Sequence, residues 1–307
     1  MFGFLSRNAA WVLAIGVFAG FLLPGVAALL RPLLAAAVGG LLVLSVMQTN
    51  YAELRRQLKQ PRAPVVMVFF LLCVSPVLMW VLVNALGLPE RLRTPLVLMA
   101  AAPPIMAAPA IALMLKLSAA RMLAVVVGAT LLAPFTLGLA AEWFVGTGLR
   151  IDPLDLALRL ASFIGGCFAV AAILRMSVGT RRINENKPIL DVLGLVLLLA
   201  FAVAIMDGVA QRFAVETEYV LGVIVISFLA NILLQFAGGA AFYATGALSA
   251  LTLAFACGNR NMGLLLAVLP ESSAPDTLLY FAVAQIPMYT LPALLSPVYN
   301  ALLKHKS

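Results

Sequence analysis

Long apolar runs, separated by short polar or proline-bearing turns, occupy almost the whole chain. Crossing the hydrocarbon of a bilayer takes about 20 apolar residues in a helix. Ten runs reach or approach that length: 10–30, 32–50, 64–87, 95–115, 121–145, 154–176, 188–209, 218–242, 245–269 and 276–303. Only Arg31-Pro32 divides the first pair, and only a short Gly/Ala/Thr-rich turn divides the eighth from the ninth. Strands of a membrane β-barrel alternate polar and apolar positions over roughly ten residues, and these continuous runs do not. The expected fold class is an all-α membrane protein, one unit over 1–307 with ten transmembrane helices. The first run follows a lone Arg7 and leads straight into another, so it is expected to span rather than to be cleaved as a signal.

Two of the runs should not hold as intact helices. In the fourth, Ala102-Pro-Pro-Ile-Met-Ala-Ala-Pro109 places Pro103, Pro104 and Pro109 close together. Each proline removes a backbone donor and clashes with the preceding turn. In the ninth, Ala256-Cys-Gly-Asn-Arg-Asn261 gathers the poor helix formers Gly258, Asn259 and Asn261. The interruptions fall at corresponding places in two five-helix halves. Five is odd, so the halves would run in opposite senses. The pattern predicts two inverted repeats, about 1–146 and 147–307, with a site between the broken helices 4 and 9. Two unrelated kinks are the alternative that spacing leaves open.

Arg260 sharpens that expectation. It is the only charged residue between Glu218 and Glu271, and the apolar stretch Ala244–Leu269 surrounds it. A guanidinium stays protonated and is costly in hydrocarbon. A snorkelling arginine needs an interface nearby, and position 260 lies inside its span. The guanidinium should point into the crossing of the two breaks, bonded to carbonyls freed there or to polar groups such as Asn261 and Asn231. Asn231 and Gln235 are four apart and share a face of helix 8. They suit either the crossing or helix–helix bonding. Gln285 is a further cavity candidate.

Composition fits a membrane protein: 64% of the 307 residues are hydrophobic and 10% charged, with a mean hydropathy of +1.10. A soluble domain carries about a quarter charged residues. The net charge of +8 does not point to nucleic acid. With both termini cytoplasmic, Arg7, the Arg55–Arg62 and Arg175–Lys187 groups and Lys306 fall inside. Arg91, Arg212, Glu216, Glu218, Glu271 and Asp276 fall outside, as the positive-inside rule requires. The expected location is the inner (plasma) membrane. Cys73, Cys167 and Cys257 have no metal-ligand spacing and read as packing residues, and the single His305 sits in the tail. No metal and no cofactor are expected. The intramembrane sequence has no paired aspartates, histidine cluster or mid-span lysine, which argues against an embedded enzyme or a Schiff-base receptor.

In order and spacing, several segments resemble the bile acid:sodium symporter family over nearly the whole chain. They are Pro24 ending the first span, Met47-Gln-Thr-Asn50 at the end of the second, Asn84-Ala-Leu-Gly-Leu-Pro89, the proline-rich break running on to Leu115-Lys-Leu-Ser118, Leu131-Leu-Ala-Pro134, Asn231, and Gly258-Asn-Arg-Asn-Met-Gly-Leu264. The resemblance implies a panel of helices 1, 2, 6 and 7 and a core of helices 3–5 and 8–10. Helices 4 and 9 would unwind and cross in the core, beside a cavity that takes organic anions. Together with the broken runs and the buried charge, this gives Arg260, Asn259, Asn261, Ala108, Pro109 and Asn231 as the expected substrate-binding residues, with Pro103, Pro104, Pro109 and Gly258 shaping the crossover.

The departures from the family pattern bear on coupling. Leu71, Ala108, Met122, Val126 and Ala256 stand where sodium-coupled members carry oxygen-bearing side chains, and Arg260 replaces a glutamine. The expected function is a secondary transporter of a small organic anion by alternating access, without sodium, with Arg260 as a fixed cation in place of the ions. Sodium or proton coupling is the alternative, although Glu142, Asp191 and Asp207 lie toward helix ends. The expected partners are that anion and the lipid bilayer, with no nucleic acid and no obligate protein partner.

Overall fold

The computed structural model describes residues 9–145, 152–269 and 275–304. Arg7, Glu271, His305 and Lys306 lie outside them. All regular structure among the described residues is helical, apart from one isolated bridge. Seven helices are long and apolar enough to cross a membrane: Pro24–Met47, Arg62–Ala85, Ala119–Val145, Pro153–Val178, Lys187–Val215, Thr217–Ala241 and Pro275–Lys304. Two further expected runs are the interrupted ones, and the remaining one is the short first helix.

In chain order, α1 is Ala9–Leu22, α2 Pro24–Met47, α3 Tyr51–Leu58, α4 Arg62–Ala85, α5 Glu90–Ala101, α6 Ala108–Met114 and α7 Ala119–Val145. Then follow α8 Pro153–Val178, α9 Thr180–Glu185, α10 Lys187–Ala204, α11 Val209–Val215, α12 Thr217–Ala241, α13 Ala247–Gly258, α14 Met262–Val268, α15 Pro275–Val283 and α16 Gln285–Lys304. The first boundary differs from the Arg31-Pro32 division of the apolar runs and falls at Pro24, which the resemblance gave as ending the first span. The chain leaves the helix at Leu23, and Pro24 opens α2, as suits a residue with no N–H to lose at a first turn. Arg31-Pro32 marks only a 3₁₀ turn inside α2.

Helix ends follow local chemistry. Asp152 caps α8 by accepting from the amides of Leu154 and Asp155, with Pro153 next to it. Asn50 caps the polar helix α3 through the amide of Glu53. At the other end of α2, the Arg175 guanidinium donates to the carbonyls of Met47 and Thr49 and lies 4.5 Å from the centre of the Tyr51 ring.

The helices sort by their neighbours. α1, α2, α8 and α10 pack against one another, while α4 to α7 and α12 to α16 form the rest, joined to the first group where α1 meets α16, α2 meets α14 and α8 meets α7. The first group depends on small residues. Gly16 and Gly20 lie against α10, and a Cβ on Gly20 would stand 2.6 Å from the Val203 carbonyl oxygen. Lipid offers no hydrophobic drive between helices, so close backbone approach through such a small-xxx-small pair is what joins them.

One end of the second group is closed by charge. Arg91 at the start of α5 donates to Glu216 at 2.6 Å and to Asp276 at 3.2 Å, Arg212 pairs with Asp276 at 2.8 Å, and the Arg91 guanidinium covers the Tyr219 ring. The hydrogen bond from Arg91 holds the Glu216 carboxyl below its ordinary value.

Two outcomes follow. Gly20→Ala should cost about 1–3 kcal/mol by overpacking against fixed backbone, read as a lower melting temperature in detergent. Gly25→Ala, which meets nothing within 4 Å, should not lower it. For Glu216, a depressed folded pKa makes its contribution complete above the ordinary carboxylate value of 4.5 and lost as pH falls through the lower folded value. Glu216→Gln should therefore lower the melting temperature at pH ~7, with the difference from the parent shrinking in acid.

Candidate functional site

The two interrupted helices meet at their breaks. Between α5 and α6 the backbone turns extended at Ala102, where Pro103 and Pro104 cannot donate to the ladder. Between α13 and α14 it leaves the helix at Asn259. The two irregular segments then bond each other like a fragment of antiparallel sheet. The Ile105 amide donates to the Asn259 carbonyl at 2.9 Å, and the Asn261 amide donates to the Pro103 carbonyl at 2.7 Å. Pro104 faces Arg260 across this single bridge. Each break thus supplies partners that the other lost, which dry surroundings demand.

The bridge leaves some carbonyls without an amide, and Arg260 takes them. The Asn261 amide has gone to Pro103, so Cys257 loses its helical donor and accepts from Arg260 Nε at 2.7 Å. Ala102, the last carbonyl before the two prolines, accepts from Nη1 at 2.8 Å. A third acceptor comes from α4. Phe70–Val74 form a π-helical turn in which the Ser75 amide reaches back five residues to Phe70. The next amide in that pattern would serve Leu71, but residue 76 is proline. The Leu71 carbonyl accepts instead from Nη1 at 3.1 Å, and the Ser75 hydroxyl from Nη2 at 2.7 Å. The guanidinium is fully buried. Among the described residues its partners are all neutral, so the positive charge is spread over dipoles and has no counter-ion.

A second polar chain secures the other side of the break. Asn231 Nδ2 donates to the Gly258 carbonyl at 2.6 Å, Gln235 Nε2 donates to Asn231 Oδ1 at 2.6 Å, and the Tyr299 hydroxyl donates to Gln235 Oε1 at 2.5 Å. The chain runs from α13 through α12 to α16. Gly258 has no room for a side chain, because a Cβ would lie 2.5 Å from Gln235 Cγ and 2.6 Å from Asn231 Oδ1.

Beside the crossing lies a cavity of about 430 Å³. One wall is α2 and α10, with Val38, Leu42, Leu198 and Phe201. The other is the two breaks, α6 and α16. The lining is mostly apolar, with polar residues at Ser45, Asn261, Gln285, Tyr289 and Ser296. Of the six residues expected to bind substrate, Arg260 and Asn261 reach this wall. The Arg260 side chain turns away from the wall toward α4, and the Asn261 side chain makes no hydrogen bond among the described residues. Asn259, Asn231 and Ala108 are buried behind the wall, and Pro109 is not part of it. The expected partners of Arg260 also differ in part. Carbonyls take the guanidinium, but Asn231 and Asn261 do not; Asn231 serves Gly258 instead. Ser75 and the Leu71 carbonyl carried a signal in the sequence, namely the mid-span Pro76, whereas Ser45, Tyr289 and Ser296 carried none.

Arg260→Ala should leave three carbonyls and a hydroxyl unpaired. At about 1–3 kcal/mol for each buried unpaired group, the melting temperature should fall far more than for a typical surface change. Arg260→Lys should recover only part, since an ammonium cannot span acceptors set in a plane. A wild-type melting temperature for Arg260→Ala would show that the guanidinium does not hold the crossing.

Comparison with known proteins gives one family: residues 37–216, more than half of the chain, match the model of the Sodium Bile acid symporter family. No curated protein matches at a significant level. The matched stretch takes in the first break and most of α2 to α11 but stops short of the Arg260 segment. The chain is therefore a multi-pass membrane protein with the apolar helices of a transporter, and it belongs to the sodium bile acid symporter family.

Proposed function

We propose that the protein carries a small organic anion across the inner (plasma) membrane by alternating access, without sodium, and with Arg260 as a fixed cation in place of a coupling ion. The observation that carries this reading is the pairing of a buried guanidinium that has no carboxylate partner among the described residues with an apolar cavity of about 430 Å³ at the same break. A positive charge left unneutralised in low dielectric acts on a neighbouring anion more strongly than one in water. It acts from behind the wall, leaving contact with the substrate to Asn261 and the cavity side chains.

The case against sodium rests on the same atoms. Sodium needs hard oxygen ligands, and the carbonyls of Leu71, Ala102 and Cys257 are already taken by the guanidinium. Leu71, Ala108, Met122, Val126 and Ala256 are buried and offer apolar side chains. A covalently attached cation cannot be pumped, so transport would follow the gradient of the anion or exchange one anion for another.

In this proposal the two halves are inverted repeats. α1, α2, α8 and α10 act as the panel, and the remaining spans as the core. Both termini lie in the cytoplasm. Alternating access then moves panel against core along the cavity wall.

The test is uptake of a panel of organic anions into liposomes holding the purified protein, in sodium, potassium or choline at equal ionic strength. Equal uptake in all three is the expected result. Uptake, or a gain in melting temperature, that appears only with sodium would overturn the sodium-free part and leave anion transport standing. The double change Ala256→Glu with Arg260→Gln, which removes the tethered cation and adds an oxygen ligand, should introduce a sodium-dependent rise in melting temperature where the parent shows none.

A further inference from the structure

Four charged side chains meet at the end of the molecule away from the cavity. Arg91 bonds Glu216 at 2.6 Å and both carboxylate oxygens of Asp276 at 3.2 Å. Arg212 bonds Asp276 at 2.8 Å and Glu216 at 3.2 Å. Each cation thus holds both anions, and the Arg91 guanidinium also lies 3.9 Å from the centre of the Tyr219 ring.

The cluster joins the two groups of helices. Arg91 and Asp276 lie in the first turns of α5 and α15, both in the second group. Arg212 lies on α11, which continues the span of α10, and Glu216 ends it. Phe213 on α11 packs edge-on against Phe21 of α1 at 5.6 Å, which attaches α11 to the first group. The cavity runs from the crossing along α6 to Leu115 and along α2 to Ser45. Arg91 lies about 16 Å of helix before the break at Ala102, on the other side of the crossing.

We infer that this ion cluster is the latch that holds the two groups of helices together on the side opposite the cavity, and that it must part before the cavity can open to that side. The assignment rests on the alternating-access reading above and names a device which that reading does not require. The bonding suits repeated opening. Parting the groups breaks Arg91–Glu216 and Arg212–Asp276, but it leaves Arg91–Asp276 within the second group and Arg212–Glu216 within the first. Neither group carries an unpaired charge away, so the large cost of a stranded ion does not arise. Pairs that are partly exposed to solvent are also weak enough to break often.

The experiment measures two distances by electron spin resonance in the ligand-free, full-length protein in nanodiscs. The spin labels are carried on unnatural amino acids, so the native cysteines stay in place. Labels at the exposed positions Leu86 and Val215 span the two groups at the cluster end, and labels at Met176 and Leu302 span them at the cavity end. Arg91→Gln should add a longer separation at the cluster end together with a shorter one at the cavity end. The ratio of the new state to the original should rise about tenfold, as loss of a crossing pair and the ring contact implies. Arg91→Lys, which keeps the charge, should lie between the two. Raising potassium chloride from about 0.1 M to about 1 M, which cuts the screening length from about 10 Å to about 3 Å, should move the wild type in the same direction. If Arg91→Gln does not fold, this salt arm decides alone. Unmoved distances in both arms overturn the latch. So does a longer cluster-end distance with no change at the cavity end, since the ion pairs then only brace their own end. Uptake of organic anions by the wild type with unmoved distances overturns the latch and leaves the carrier standing. The paired shift without uptake of any anion upholds the latch and removes the organic-anion reading.

Discussion

The bonding of one guanidinium to three segments of chain holds the centre of this protein together. α4, the end of α5 and the end of α13 each bring a carbonyl that its own helix has abandoned, and Arg260 collects all three. None of these losses is tolerable alone in a dry core, where an unpaired backbone group costs several kcal/mol. Nor is a lone charge tolerable there. Together the two costs offset each other. Carbonyl dipoles replace the water that the cation gave up, and the planar fork of donors satisfies acceptors that arrive from different directions.

That mutual dependence also accounts for what the sequence could reveal. Both breaks were legible, because Pro103, Pro104 and the Gly258-Asn259 pair act locally and leave no choice to the backbone. The inward direction of Arg260 was legible from cost alone. So were the freed carbonyls at the breaks, which Cys257 and Ala102 supply; the partners on α4 were harder to read, since Asn231 and Asn261 looked like better candidates than a carbonyl almost two hundred residues away. Yet Pro76 was visible throughout: in a π-helical turn its missing N–H is the one that Leu71 would have accepted. The cavity was hardly legible. Val38, Leu198 and Phe201 are apolar like their lipid-facing neighbours, and no residue type distinguishes a wall that faces a cavity from one that faces lipid. The first helix boundary was read two ways: the apolar runs put it at Arg31-Pro32, the more polar dipeptide, while the family resemblance put the end of the first span at Pro24, beside the backbone break at Leu23.

The polar chain from Gly258 through Asn231 and Gln235 to Tyr299 does a different job from the arginine. It binds the crossing to α12 and α16, so the break, the bridge and two flanking helices share one set of bonds. Shape enforces this as firmly as bonding does, because Gly258 leaves no space for a Cβ beside Asn231 and Gln235. A crossing fixed on both sides has little freedom to rearrange. Any motion the proposed transport needs must arise elsewhere, and the alternative surface is the cavity itself, where α2 and α10 face the breaks largely through apolar side chains. Apolar walls slide at low cost, since no directional bond must break.

A tethered cation changes what such a motion can accomplish. When a coupling ion leaves, the carbonyls around it lose their partner, and the empty carrier differs in energy from the loaded one; this difference is how an ion gradient enters the cycle. Arg260 cannot leave. In the proposed cycle the crossing keeps its four hydrogen bonds with the cavity loaded or empty, and no gradient acts through it. What would then distinguish the loaded from the empty state is the proposed anion itself, drawn by a charge that is always present and sorted by the few polar groups on the wall. On this reading, replacing mobile ions by a side chain gives up concentrating power and gains a core that is stable at every step of the cycle. Selectivity then has to be written in the cavity rather than in the coupling, in the few polar side chains that line it: Ser45, Asn261, Gln285, Tyr289 and Ser296.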